Sequence, residues 1–215
     1  MAIADGMAID CSDLQAVGGT RFIAVRKWGA SDIVQFNDTL HTITLIDEAA
    51  STGATWGVFE SRLESSSLAI TGANEGKEFS TYECTLSWFI PGITTTQFAS
   101  LYDFDGECLM AMVIDNNDAE SGDPNPSLTF ANNKVIGVSN TLASQDASNA
   151  GSFHYTAERT QQWCRLQSIE GGTGTAFSDE IGVTVTLVAK QYEIPRAYIG
   201  TTTIDADGLG LTTGS

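Results

Sequence analysis

From Ile181 to Tyr192 the chain alternates apolar and polar residues almost one for one. Ile181, Val183, Val185, Leu187 and Ala189 fall on one side of an extended chain, with Thr184, Thr186 and Lys190 on the other. Side chains of a strand point to opposite faces in turn, so this period commits the segment to β structure with one face on a core. The pattern recurs at Thr81–Ile90, where Tyr82, Cys84, Leu86, Trp88 and Ile90 oppose Thr81, Glu83, Thr85 and Ser87. The segments Thr55–Thr71 and Lys77–Ile90 flank Gly72-Ala73-Asn74-Glu75-Gly76, which predicts a long hairpin. Cys108–Ile114 is apolar without a break, as expected of a strand buried on both faces.

Shorter strands are predicted at Arg21–Arg26, Leu128–Phe130, Lys134–Ser139 and Ser152–Tyr155. Ile33–Phe36 and Leu40–Ile46 form a further hairpin around Asn37-Asp38. Thr94-Thr95-Thr96 can cap a short helix carrying Phe98, Leu101 and Tyr102 at spacings of three and four. Ala157–Ile169 is ambiguous, because Trp163, Leu166 and Ile169 recur every three residues and a helix is possible there. The polar stretches Asp47–Gly57, Asp115–Pro126 and Asn140–Gly151 read as long loops, and Thr201–Ser215 as an extended arm. The 215 residues fit a single domain. The expected fold is mainly β, a β-sandwich or barrel with one or two short helices, long loops and extended arms at residues 1–20 and 201–215. The 19 Ser, 25 Thr and 21 Gly agree with strands joined by turns.

Charge narrows the function classes. Ten basic residues face 27 acidic ones, a net charge of −17. Such a surface repels phosphates, which disfavours specific nucleic-acid binding and docking on anionic membranes. Met1-Ala-Ile-Ala-Asp-Gly has no basic, apolar leader, and no run approaches the ~18 apolar residues of a spanning helix. A reducing compartment is therefore expected, with Cys11, Cys84, Cys108 and Cys164 free and buried; two disulfides are the alternative for an exported chain.

No residue pattern fixes a reaction. The two histidines, His41 and His154, sit in predicted strands, and only a Cys–His dyad of Cys84 or Cys164 with His154 stays open. No nucleophile-elbow, zinc-protease or phosphate-loop motif occurs, and Gly171-Gly172-Thr173-Gly174 lacks the lysine of a phosphate cradle. Asp103–Glu107, Asp115–Asp118 and Asp205–Gly208 cluster oxygen ligands, but none has the closing Glu of a calcium loop, and Asx turns explain them. Paired carboxylates for glycoside chemistry have no motif to place them. The expectation is a chain with no cofactor, no metal and no enzymatic activity, built to associate.

The order of elements resembles the tail tube (major tail) proteins of tailed bacteriophages. The resemblance rests on Asp10–Val25 as a polar arm leading into a first strand, the Thr55–Ile90 hairpin, the capped segment Thr94–Tyr102 and the closing strand Ile181–Tyr192. It is one of composition and element order, and it covers most of the chain. It implies hexameric rings stacked into a hollow tube of the virion, assembled in the host cytoplasm beside other tail proteins, with DNA passing through an inner barrel without being bound. Six copies would carry about −100 charges per ring.

On that reading Thr81, Glu83, Thr85 and Ser87 line the lumen, while the Tyr82, Cys84, Leu86 and Trp88 face packs on the helix near Phe98. The subunit-contact loops would include Asp47, Ala49, Ser51, Gly53, Asp115, Asp118 and Asp123, with the Thr201–Ser215 arm. Deleting Ala49–Gly53 is then expected to leave a folded monomer that no longer polymerises. Two other readings fit the same features: a capsid decoration protein or other filament-forming subunit, and a β-sandwich carbohydrate-binding module.

Overall fold

A computed structural model describes residues 20–28, 33–37, 40–47, 56–60, 65–74, 80–92, 99, 101–115, 120–121, 128–130, 133–138, 144–145, 152–154, 162–172, 181–204 and 211–214. In chain order the strands are β1 (Thr20–Lys27), β2 (Ile33–Asn37), β3 (Thr42–Asp47), β4 (Gly57–Glu60), β5 (Ser66–Ala73), β6 (Thr81–Pro91), β7 (Leu109–Asp115), β8 (Glu120–Ser121) and β9 (Leu128–Phe130). They continue with β10 (Asn133–Ile136), β11 (Ser144–Gln145), β12 (Ser152–His154), β13 (Arg165–Gly172), β14 (Gly182–Gln191), β15 (Arg196–Tyr198), β16 (Thr201–Ile204) and β17 (Leu211–Gly214).

Three sheets result. Sheet A has nine strands in the order β11-β12-β2-β3-β15-β10-β7-β1-β4. Sheet B has four in the order β13-β14-β6-β5, and sheet C four in the order β17-β16-β9-β8. Neighbours are antiparallel except β15 and β3, which run parallel with Ala197 opposite Thr42.

Strands β1 and β7 are the middle layer. They pair along their length, with Ile23 opposite Val113 and Val25 opposite Ala111. Their side chains divide between two cores, as the unbroken apolar run of β7 requires. Phe22, Ala24, Met110, Met112 and Ile114 enter the first core with Val34, Ile43, Trp56 and Tyr198. Ile23, Val25, Leu109, Ala111 and Val113 enter the second with the inner face of sheet B: Cys84, Leu86, Trp88, Ile90, Val183, Val185, Leu187 and Ala189. The mainly β, sandwich-like architecture read from the sequence is therefore present, with one core on each face of β1 and β7.

Four details differ from the sequence reading. The stretch Thr55–Thr71 is two strands, not one arm: β4 joins β1 in sheet A, and only β5 pairs with β6. Over the described part of Ala157–Ile169 there is no helix, since β13 pairs with β14 from Arg165 to Gly172. A register shift between Leu166 and Ser168 makes Gln167 the extra residue of a bulge, which puts Leu166 and Ile169 on the same face at a spacing of three. A bulged strand thus imitates helical periodicity.

The arm expected from Thr201 is paired instead, β16 lying between β17 and β9 with Thr202 and Ile204 buried. The fourth difference concerns the helix. Among the described residues only Ala99, Leu101 and Tyr102 are helical, closed by Asp103 N–H donating to the Ala99 carbonyl at 3.3 Å. Phe98 lies outside the described residues. Leu101 and Phe104 of this turn enter the second core, where Phe59 meets the rings of Trp88 and Phe104 at 5.5 and 5.9 Å. The inner face of β6 therefore packs chiefly on β1 and β7, and the helical turn closes one end.

Candidate assembly surface: the outer face of sheet B

The long β6–β14 pairing fixes which side chains stand together on the outer face. Ser87 opposes Thr186, Thr85 opposes Val188, Glu83 opposes Lys190, and Phe89 opposes Thr184. On the other side of β6, Ser67 opposes Ser87, Ala69 opposes Thr85, Thr71 opposes Glu83, and Ala73 opposes Thr81. Strand β13 extends the face with Ser168 opposite Thr186 and Glu170 opposite Thr184. All four residues assigned to the lumen, Thr81, Glu83, Thr85 and Ser87, thus lie on one face, turned away from the core. Their partners on β5, β13 and β14 were legible only once the register was known.

The face is rich in hydroxyls and almost balanced in charge. Glu83 Oε2 lies 3.1 Å from Lys190 Nζ, and Thr186 Oγ1 is 3.5 Å from Ser87 Oγ. Glu170 and Arg165 add one charge of each sign. Among the described residues the acid excess of the chain is therefore not concentrated here, contrary to a strongly negative wall. Such a surface sets its two exposed cations, Lys190 and Arg165, against two acids, so it offers phosphates neither a clustered cationic anchor nor marked repulsion. Phe89 is the bulky exception, and its ring fills the space over Gly182, where a Cβ would stand 2.3 Å from Phe89 Cζ and 2.5 Å from the Ile90 carbonyl oxygen.

The loop residues proposed for subunit contacts are mostly outside the described residues: Ala49, Ser51, Gly53, Asp118 and Asp123. Asp47 ends β3 opposite Ile33. Asp115 ends β7, is half-buried and forms an ion pair with Lys134, so it belongs to the sheet and not to a loop.

The residues considered for chemistry are dispersed. His41 is exposed in the turn before β3, with φ of 53°, beside a recess of about 410 Å³ shared with Tyr82, Tyr192 and Glu193. His154 lies in β12, between β11 and β2. Cys84, Cys108 and Cys164 are free thiols. Burial, reinforced by Glu83, pushes the Cys84 thiol up to about 12, and burial pushes Cys164 up as well, with Cys84 adding to the effect. A thiol held protonated is a poor nucleophile. Asp103 and Glu107, considered for calcium, both approach Lys27 Nζ, at 3.8 and 3.2 Å. Among the described residues no cluster of three or more His, Cys, Asp or Glu is placed to hold a metal, and no helix is long and apolar enough to cross a membrane.

One feature of sheet B escaped the sequence reading. Its outer strands, β5 and β13, pair on one side only with described strands. Each exposes an isoleucine on the core-facing side: Ile70 is 44% exposed and Ile169 41%. Beside Ile169 a groove of about 430 Å³ opens between β13 and the helical turn, lined by Leu101, Tyr102, Asp105, Leu166 and Ile169. The signal in the sequence was an eight-residue strand, Ser66–Ala73, that contains no charge and no proline.

No family model matches the chain, and neither a curated protein nor a solved structure matches it.

Proposed function

We propose that this chain is a non-catalytic structural subunit that assembles with copies of itself, as a tail tube protein of a tailed bacteriophage does. In this reading subunits form rings of about six, the rings stack, and sheet B supplies the inner wall of the virion tube. DNA passes through without specific binding. The further partners are other tail proteins, and no cofactor or membrane takes part.

The observation that carries the reading is the asymmetry of sheet B. One face is sealed on a core of Trp88, Leu86, Val185 and Leu187; the other is a hydroxyl-rich, charge-balanced surface four strands wide. A polyanion slides past such a wall because its hydroxyls are well hydrated and its two cations, Lys190 and Arg165, share the face with as many acids, Glu83 and Glu170. The resemblance in element order points the same way.

Negative-stain electron microscopy of the purified chain tests the proposal. Hollow tubes or roughly six-fold rings are the expected result. Solid filaments or trimers would favour a decoration or filament protein, and a monomer that binds glycans would favour a carbohydrate-binding module.

A further inference from the structure

We propose that the recess at the open end of the sandwich, ringed by His41, Tyr82, Tyr192, Glu193 and Arg196, is a binding site for a neutral saccharide. The site is a second function beside assembly, and it stands whether or not the chain forms a tube.

The recess lies where sheet B meets sheet A. Tyr82 comes from β6 and His41 from the turn before β3. Tyr192 and Glu193 lie in the link between β14 and β15, and Arg196 begins β15. The walls are fixed before any ligand arrives. Arg196 is only 7% exposed. Its Nη2 lies 2.7 Å from Glu193 Oε2, its Nη1 donates to the Asn37 carbonyl oxygen at 3.5 Å, and its guanidinium lies 5.2 Å from the centre of the Phe36 ring. Asn37 Oδ1 accepts from the Leu40 N–H at 3.1 Å, so Asn37 ties the turn that carries His41 to Arg196. His41 holds a φ of 53°, a left-handed conformation that its surroundings must impose. Tyr192 N–H donates to Oε1 of the buried Gln162 at 3.1 Å.

Two tyrosines give the site aromatic surface. The Tyr82 ring lies over Gly72 of β5, where a Cβ would come within 2.8 Å of Tyr82 Cε1. A glycine opposite the tyrosine is what lets the ring cover the strand. Tyr192 is 45% exposed, and Ile194 and Pro195 complete the apolar part.

Charge selects the class of ligand. Among the described residues the charges of Glu193 and Arg196 cancel, although the chain as a whole carries −17. A strong cation or anion therefore finds no excess of opposite charge. What the site offers is a carboxylate that accepts, a guanidinium that donates, and an imidazole and phenols that do both. Neighbouring hydroxyls of a sugar use such a mixed set, while the C–H face of a pyranose packs on an aromatic ring. The volume of about 410 Å³ falls near the small end of ordinary ligand sites, roughly 300–1,000 Å³, and suits a mono- or disaccharide.

Saturation-transfer difference NMR on the full chain tests the site, because it reads sugar protons whether the protein is monomeric or assembled. The probes are the methyl glycosides of glucose, galactose, mannose and N-acetylglucosamine, with choline and inorganic phosphate as competitors. At least one glycoside is expected to receive saturation. Tyr192→Ala is expected to weaken its binding about tenfold. His41→Gly, which keeps the left-handed backbone, is expected to weaken it severalfold. Tyr102→Ala removes an 80% exposed aromatic outside the recess and is expected to bind as the wild type does. Each variant is first checked for a wild-type melting curve; if Tyr192→Ala melts early, Tyr192→Leu replaces it. No saturation of any glycoside, binding unchanged by the Tyr192 and His41 variants, equal loss in Tyr102→Ala, or displacement of the sugar by equimolar choline or phosphate would overturn the proposal. Electron microscopy of the same samples keeps the two readings apart. Tubes that bind no sugar would sink this site and spare the tube, whereas a sugar-binding monomer would spare the site and sink the tube.

Discussion

Strands β7 and β6 divide the labour of this fold. Every residue of β7 from Leu109 to Ile114 is buried, three side chains going to each core. In β6 burial alternates, so that Cys84, Leu86, Trp88 and Ile90 are enclosed while Thr81, Glu83, Thr85 and Ser87 are not. The first is scaffold, in which any polar group is out of place. The second is a two-sided wall, whose inner face is fixed by packing and whose outer face is free to serve a function. An outer-face substitution should therefore change what the surface does and leave the fold alone, whereas in β7 no such separation exists.

The sharpest way to break this contrast is a charge in β7. Val113→Asp buries an unpaired carboxylate between two layers and is expected to cost on the order of 4–5 kcal/mol, seen as loss of the folded baseline in urea titration. Next comes the inner face of β6. Trp88→Ala removes a fully buried ring packed on Phe59 and is expected to cost about 3–5 kcal/mol. Thr85→Val, one strand position type away on the outer face, is expected to stay within about 0.5 kcal/mol. Comparable losses for Trp88→Ala and Thr85→Val would mean that both faces are core.

The buried thiols add a pH dependence to the inner face. Both folded-state values are raised from 9.0 by burial, Cys84 to about 12. Below pH 9 the thiols stay protonated in either state and contribute no slope. Above it the unfolded chain releases protons that the folded chain keeps, so stability falls between about pH 9 and about pH 12. Urea midpoints at about pH 8 and about pH 10.5 are expected to differ, and Cys84→Ala to show the smaller fall.

The smallest effect on stability is expected at Glu83. Its ion pair with Lys190 is exposed and contributes about 0–1 kcal/mol, so Glu83→Lys should barely move the melting curve. It does place two lysines side by side on the hydroxyl face. Assembled particles are expected to form normally and to pass DNA more slowly, which infectivity and DNA-ejection assays would report. Unchanged ejection would separate this face from the passage.

Periodicity carried the sequence reading furthest where strands are regular. The run Cys108–Ile114 and the alternations at Thr81–Ile90 and Ile181–Tyr192 located β7, β6 and β14, and with them the outer face. The failures have physical causes. The bulge at Gln167 gave β13 a helical spacing. The chain between Glu60 and Ser66 changes sheets, which no local pattern records. Strand β16 is mostly threonine, so its burial against β9 and β17 depends on partners distant in sequence. Charge was the least informative signal. A net −17 said nothing about where the acids lie, and the outer face of sheet B is nearly neutral.

The orientation of sheet B in the assembled particle bears most directly on the account, and a three-dimensional electron microscopy reconstruction would reveal it. The expected map shows a closed barrel with Thr85, Ser87 and Thr186 turned to an open channel. A particle with that face turned outward to solvent, or with no channel at its centre, would contradict it.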